Sequence, residues 1–442
     1  MIRREISGWG RYPREVCAMV QPRHPKAVPA ALSELTSAIP RGMGRSYGDS
    51  AINPDGVIDM RGLNRMISFD PDAALLVAEA GVTLADVIAA FLPRGFFPMV
   101  TPGSKFVTLG GAIAADVHGK NHHVDGSFGD HVAWFDLLCP DGEERRCDPQ
   151  TNPELFNLTF GGMGLTGIVL RAAIWLRRVE TGYIRQRRIV APDLAAAMQA
   201  FEDHPDSTYS VAWIDCLARG ASRGRSLVYL GEHARIEDLP EAQTADPLRP
   251  RPRALRQVPM DAPPYSLNRW TVSAFNAAYF RAGSRGPDHA VVDWDRYFYP
   301  LDALRDWNRI YGRKGFAQYQ CALPPDTAAD TLAEMLEAIG AAGQGSFLAV
   351  LKMFGAAAPD RPMSFPRPGY TLALDFPISD AALRLMDLLD AMTRAAGGRL
   401  YLAKDSRMTA AMLRLGYPEG VAALAPWRAP QLQSTQSRRL GL

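Results

Sequence analysis

Two glycine-rich loops about 60 residues apart constrain this chain more than any other feature. The first is Pro40-Arg41-Gly42-Met43-Gly44-Arg45-Ser46-Tyr47-Gly48-Asp49; the second runs from Pro102 and Gly103 through Thr108-Leu109-Gly110-Gly111 to Ala114-Ala115. Both lack bulky side chains and expose backbone N–H groups, so the main chain can approach a pyrophosphate closely and donate to it. Taken singly, either loop reads equally well as a plain glycine turn. Between them the sequence predicts strands over 57–60 and 74–81, joined at Asp70-Pro71-Asp72. Thr83 then opens a helix, with Asp86 in the capping-box position and Leu84, Val87, Ile88 and Phe91 on one face. A third loop, Gly162-Met163-Gly164-Leu165-Thr166-Gly167, matches GxGxxG literally. A strand pattern over 168–175 follows it where a Rossmann site needs a helix, and no suitable acidic residue lies downstream. It reads as a tight turn.

With 442 residues the chain exceeds one ordinary core, and two domains are expected. A hydrophobic share of 47% and a charged share of 22% are those of a globular protein. The formal net charge of +2 argues against nucleic acid as a partner, because phosphate-backbone binding needs a concentrated basic face. The most basic stretch, Arg249, Arg251, Arg253 and Arg256 among prolines, reads as a solvated loop, with contact to an anionic membrane surface as the alternative. Five scattered cysteines without a CxxC suit a reducing, cytoplasmic setting rather than a disulfide frame or a structural zinc site. Residues 1–15 are charged from residue 3 and do not read as a signal peptide. No apolar run reaches the roughly 20 residues of a membrane span, so a lipid-linked ligand would be met from the aqueous side, peripherally at an inner membrane.

Beyond residue 182 the texture changes. A strand over 207–215 precedes a Pro/Arg-rich stretch, 247–264, that reads as a long mobile loop. Two strand–helix units follow: 316–322 with a helix near 331–339, and 370–376 with a helix capped by Ser379 and carrying Leu383, Met386, Leu389 and Met392. Gln318 and Gln320 alternate with Ala317, Tyr319 and Cys321; Val350, Lys352 and Phe354 share one strand face, and Thr371, Ala373 and Asp375 share another. Gln, Gln and Lys displayed toward a cavity suit hydroxyls and an anionic phosphate, while for each residue singly a solvated sheet face is the plainer reading.

Taken together, the two loops resemble the FAD-binding domain of the vanillyl-alcohol-oxidase superfamily. The segment Asp116-Val117-His118-Gly119-Lys120-Asn121-His122-His123 with Gly126-Ser127-Phe128-Gly129, the N-terminal Gly8-Trp9-Gly10-Arg11, and Ala403-Lys404-Asp405-Ser406-Arg407 narrow the likeness. Over residues 7–418 the chain resembles the decaprenylphosphoryl-β-D-ribose 2′-oxidase family. The resemblance implies an α+β fold of two domains: an FAD-binding domain from 1–181 and 399–442, and a substrate-binding domain, 182–398, with an antiparallel sheet and covering helices. It implies oxidation of the ribose 2′-hydroxyl of a polyprenylphosphoryl sugar by hydride transfer to flavin N5. A separate short-chain NAD(P)H reductase would complete epimerisation to the arabinose donor of cell-wall arabinan. Arg45 stands where many relatives carry the tethering His, which implies non-covalent FAD.

By the same resemblance the flavin residues are Arg41, Gly42, Met43, Gly44, Arg45, Ser46, Tyr47, Gly48, Gly103, Thr108, Leu109, Gly110, Gly111, Ala115, Asp116, Val117, His118, Ile168 and Tyr401. The substrate residues are Gln318, Gln320, Lys352, Phe298, Thr371 and Ala373, and the catalytic ones Lys404 and His118. His118 and His122, four apart, invite a metal reading, but no neighbouring acids or thiols complete a ligand set, and none is expected. Thr371, Ala373 and Phe298 depart from the family's Asn, Cys and Tyr, and past Pro418 little survives beyond Arg438-Arg439-Leu440. Two other readings stay open: a related flavin enzyme acting on a free alditol or aldonolactone, and a catalytically silent FAD-binding subunit.

Overall fold

Three main sheets carry the chain, in a computed structural model that describes residues 1–250, 253–263 and 265–442. Arg251, in the basic stretch noted above, lies outside the described residues. The first sheet orders its strands Ile2–Ser7, Arg14–Val20, Val57–Asp59 and Ile39–Arg41, the first pair antiparallel and the others parallel. The second is antiparallel: Met66–Asp70, Leu75–Glu79, Ile168–Arg178, Val132–Leu138 and Glu144–Cys147, with Phe96–Pro98 also paired to Ile168–Arg178. The helix Leu84–Phe91 packs against the strand Phe96–Pro98, and its Leu84 and Ala85 N–H groups bond Val107 O and Lys105 O of the second glycine loop. Thr83 and Asp86 close its capping box in both directions, and Leu84, Val87, Ile88 and Phe91 are buried.

The third sheet has eight antiparallel strands, in the order His289–Asp293, Tyr183–Ala191, Ser226–His233, Tyr209–Ile214, Ala349–Phe354, Gly369–Pro377, Phe316–Leu323 and Arg399–Leu400. Helices Leu194–Glu202, Pro325–Ala342 and Asp380–Ala395 cover one of its faces. Ser379 caps the last of these through the Ala382 N–H at 3.1 Å. Its Leu385, Met386 and Leu389 are buried, each contributing on the order of 1.5–3 kcal/mol. Alternation along Phe316–Leu323 sends Tyr319 under this helix, its hydroxyl 2.6 Å from Thr393, and leaves Gln318 and Gln320 on the opposite face. The architecture is a two-domain vanillyl-alcohol-oxidase-type α+β fold, its main core continuous from the second sheet into the third.

One expectation changes. Described residues of 247–264 are tied down: the Arg253 guanidinium donates to the carbonyls of Asp295, Tyr299 and Pro300, and Arg256–Gln257 pairs in parallel with Leu304–Arg305. A 17-residue helix, Arg269–Arg285, follows. It buries only Val272 and Asn276 and so has no apolar stripe for a sequence pattern to reveal.

Candidate active site

A cleft opens between the two glycine loops and the uncovered face of the eight-stranded sheet. Residues 42–47, Gly103, Thr108, Gly111, Ala115 and Val117 form one wall. Gln318, Gln320, Lys352 and Ala373 face them from three neighbouring strands, and His118, Tyr401 and Lys404 close the end between.

The first loop is held by the chain's two ends. Trp9 and Gly10 donate their N–H groups to Ser46 O (2.7 Å) and Tyr47 O (3.0 Å), and the Tyr47 N–H reaches Ala403 O at 2.9 Å. Gly48 lies against Asp405 so closely that an added Cβ would stand 1.8 Å from the Asp405 carbonyl oxygen. The Asp405 carboxylate accepts from the N–H groups of Arg407 (2.8 Å) and Met408 (2.6 Å) and from the Arg439 guanidinium (2.8 Å), which also reaches Asp49 at 2.8 Å. Arg438-Arg439-Leu440 thus clamps the first loop to Ala403-Lys404-Asp405-Ser406-Arg407.

Several features of this wall fit a dinucleotide. Among the described residues, no hydrogen bond uses the N–H of Met43, Gly44, Arg45 or Ser46. The Arg45 guanidinium stacks on Trp9 at 3.9 Å with no carboxylate in ion-pair contact, its Nε and the Ser50 hydroxyl are buried without a partner, and burial holds its pKa down. Gly103 has only open space where a Cβ would sit. Free donors, an unpaired cation and open backbone are what a pyrophosphate and its ribose and flavin arms require.

At the far end, Gln320 donates to His118 Nε2 at 3.1 Å and to the Thr371 hydroxyl at 3.2 Å. That bond places the imidazole proton on Nδ1, a buried atom without a partner. Phe354, Phe365 and Tyr401 surround the His118 ring, and burial keeps it neutral, well below the ordinary histidine range. The Tyr401 hydroxyl donates to Ala115 O at 2.8 Å, fixing that ring against the second loop.

Lys404 Nζ lies 3.7 Å over the Tyr47 ring. Burial pushes its pKa down, nearby Asp375 pulls it back up, and Lys352 pushes it down further. Asp375 is itself raised by burial and accepts from Gln318 and from the Tyr311 hydroxyl. Lys352, its Nζ 3.4 Å from Gly119 O, is lowered by burial to about 8 and stays mostly cationic at neutral pH. The end of the cleft therefore holds two half-buried lysines and one buried carboxylate.

Eight expected residues do not line this cleft. Phe298 is displaced furthest: it ends the short helix Trp294–Phe298 and stacks on Phe97 at 5.3 Å in a separate aromatic core. Ile168 is buried beneath the first sheet. Asp116 is a structural node, its carboxylate taken by Ser127, Ser364 and the Gly129 N–H. Leu109 and Gly110 spend their N–H groups on Val82 O and Ala80 O. Arg41 turns back to the carbonyls of Ser7 and Ala51, Gly48 packs on Asp405, and Thr371 stands beside Gln320 on the next strand and accepts its amide N–H. His122 accepts from the Gly355 N–H, and His123 and His131 bond backbone carbonyls, so these three rings serve the fold.

Conversely, Trp9, Met163, Asp302, Trp307 and Asp375 do line the cleft. Met163 comes from the GxGxxG turn, with φ of +53°, and its N–H bonds Ala114 O at 2.9 Å. Asp375 was visible as the third member of the Thr371–Ala373 face; Trp307 and Asp302 carried no sequence signal.

The fold and this cleft define an FAD-dependent oxidoreductase. A family described as an FAD binding domain matches residues 17–148. The chain is 37% identical over 424 residues to decaprenylphosphoryl-beta-D-ribose oxidase of Mycolicibacterium smegmatis, across 94% of this chain and 92% of the relative. It is 35% identical over 377 residues to an uncharacterized Streptomyces coelicolor protein from the mprA 5′ region, covering 82% of this chain and all of that one. Cytokinin dehydrogenase 4 of Arabidopsis thaliana is 29% identical over 162 residues, 35% of this chain and 31% of the relative. The chain belongs to the decaprenylphosphoryl-β-D-ribose oxidase family.

Proposed function

We propose that this enzyme oxidises the ribose 2′-hydroxyl of a polyprenylphosphoryl-β-D-ribose to the 2′-ketone. The observation that carries the reading is Lys404, a half-buried amine of depressed pKa standing beside flavin-loop Tyr47 and facing Lys352, Gln318 and Gln320 across the cleft. Bound FAD supplies the hydride acceptor. Lys404 takes the hydroxyl proton as a free amine, or holds the hydroxyl oxygen as an ammonium donor. Lys352 meets the phosphate, Gln318 and Gln320 hold sugar hydroxyls, and His118, fixed by Gln320, lines the flavin end. Residues 1–181 with 399–442 hold the cofactor and 182–398 the sugar. A short-chain NAD(P)H reductase would reduce the ketone to complete the epimerisation. Lipid on the substrate brings the enzyme to a membrane surface, and no described helix is long and apolar enough to cross one.

The test is anaerobic bleaching of the bound flavin. Polyprenylphosphoryl ribose should bleach it, and free ribose, alditols and aldonolactones should not. Bleaching by a free alditol at the same rate moves the enzyme to the neighbouring substrate class, and bleaching by none supports a silent subunit. Arg45 at the tether position leads to a further expectation: denaturation should release all the flavin, and colour that stays with the polypeptide on a denaturing gel overturns it.

The Lys404–Asp375 pair also sets a pH dependence. The free-amine fraction of Lys404 grows with pH, so the flavin-reduction rate should climb through the pKa of Lys404 and level above it. The Asp375 charge favours the ammonium, so Asp375→Asn should lower that pKa and move the rising limb to lower pH. Stopped-flow reduction across pH 5–10 reads it, and a limb that stays put or moves upward removes the amine from the role of base.

A further inference from the structure

The arginine-rich stretch leads directly into the helix whose burial pattern hid it, and together they form an unusual surface. Among the described residues, five aromatic side chains stand well exposed, and four of them, Tyr265, Trp270, Phe275 and Tyr279, fall within this segment, with Met260 and Leu255 beside them. Trp270 and Tyr265 are 73% and 76% exposed. Residues 247–287 contain seven arginines and a single acid, Asp261, which is already paired with Arg11 and Arg309. Arg269, Arg281 and Arg285 pair with no carboxylate among the described residues, and Arg269 stacks over Trp270 at 4.8 Å. The helix is anchored from beneath by Val272 and by Asn276, whose amide bonds Asp215 at 2.9 Å.

We infer that this face, centred on the helix Arg269–Arg285, docks on an anionic phospholipid bilayer. Indole and phenol rings settle at the headgroup level, where one end is apolar and the other wet. Trp270, Arg281 and Arg285 turn outward, opposite the buried Val272 and Asn276, with Phe275 and Tyr279 on the helix's flank; the guanidinium groups meet lipid phosphates, and the helix itself carries no acid to oppose them. The face is also continuous with the cleft: Phe275 packs on Phe347 at 5.7 Å, Phe347 on Tyr311 at 5.5 Å, and Leu348, next in sequence, lines the cleft wall. A headgroup whose lipid tail remains in the bilayer would enter beside the docked helix. That last step rests on the lipid-linked substrate proposed above; the docking itself does not.

The experiment uses the full-length, FAD-loaded protein sedimented with vesicles of 70% phosphatidylcholine and 30% phosphatidylglycerol, against phosphatidylcholine alone. Binding should occur on the anionic vesicles and weaken with salt. Each arginine near such a surface is worth about fivefold in partitioning. The triple change Arg269→Gln, Arg281→Gln, Arg285→Gln should therefore lower binding by about 100-fold, and Trp270→Ser should weaken it separately. Both variants should keep their flavin and should oxidise a short-chain, water-soluble phosphoryl ribose as the native enzyme does. Native protein that ignores anionic vesicles, or a triple variant that binds them equally, overturns the inference. So does a salt-independent dimer that Trp270→Ser abolishes, which would give the face to a second copy of the chain. If vesicle binding holds but native enzyme leaves the short-chain sugar untouched, the substrate reading falls and the docking stands.

Discussion

Lys404→Met is expected to slow flavin reduction by at least about 100-fold while FAD stays bound. Acid–base assistance is typically worth about 10²–10⁴-fold, and methionine keeps the length and apolar stem of lysine while removing its donors and its lone pair. The fold should tolerate the change, since Lys404 is half-buried over the Tyr47 ring and a thioether packs there at less desolvation cost than an amine. Flavin content of the purified variant checks that the cleft is intact. Anaerobic stopped-flow absorbance then isolates reduction from reoxidation. A loss below about fivefold, well short of the range for acid–base catalysis, would leave Lys404 as a packing residue.

Gly48→Ala should be the most damaging single methyl group in the flavin domain. The added Cβ would meet Asp405 O at 1.8 Å, and Asp405 cannot retreat because Arg407, Met408, Gln436 and Arg439 all hold its carboxylate. Gly8 crosses the other side of the same strand, its own added Cβ falling 2.2 Å from Gly48 O. Overpacking usually costs about 1–3 kcal/mol and more where backbone must move, so a loss of about 3 kcal/mol or above, with little retained flavin, is expected. Gly103→Ala is the contrast: its Cβ meets nothing within 4 Å, and it should leave the unfolding temperature of the flavin-free protein unchanged. Thermal unfolding and flavin content of both variants decide the matter; Gly48→Ala protein with native values for each would mean that the two chain segments do not cross this closely.

Local chemistry made much of the fold legible. The Thr83–Asp86 capping box, the Ser379 cap and the alternation through Gln318 and Gln320 are each complete within a few residues, and each forms where the sequence predicts it. The resemblance carried His118, Tyr401 and Lys404 to one cleft because they lie in the distinctive segments around His118 and Lys404. What escaped depended on distant partners. Asp116 sits in the same motif as His118, yet only Ser127, Gly129 and Ser364 folding around it make it a structural anchor. Phe298 belongs to an aromatic core completed by Phe97 and Tyr209, which lie about 200 and 90 residues away in the chain and which nothing around Phe298 announces. The helix Arg269–Arg285 was invisible because only Val272 and Asn276 turn inward, which leaves no apolar stripe of helical period.

The flavin loop is bound by residues made before it and by residues made hundreds of positions after it, and this dictates when the cofactor can be captured during biosynthesis. Trp9 and Gly10 are made before the loop, but Ala403, Asp405 and Arg439, which complete the grip on residues 46–49, follow only several hundred residues later. A nascent chain therefore displays both glycine loops long before it can close them. Flavin capture must then wait for residues 403–439, and a chain cut short before them should be released colourless.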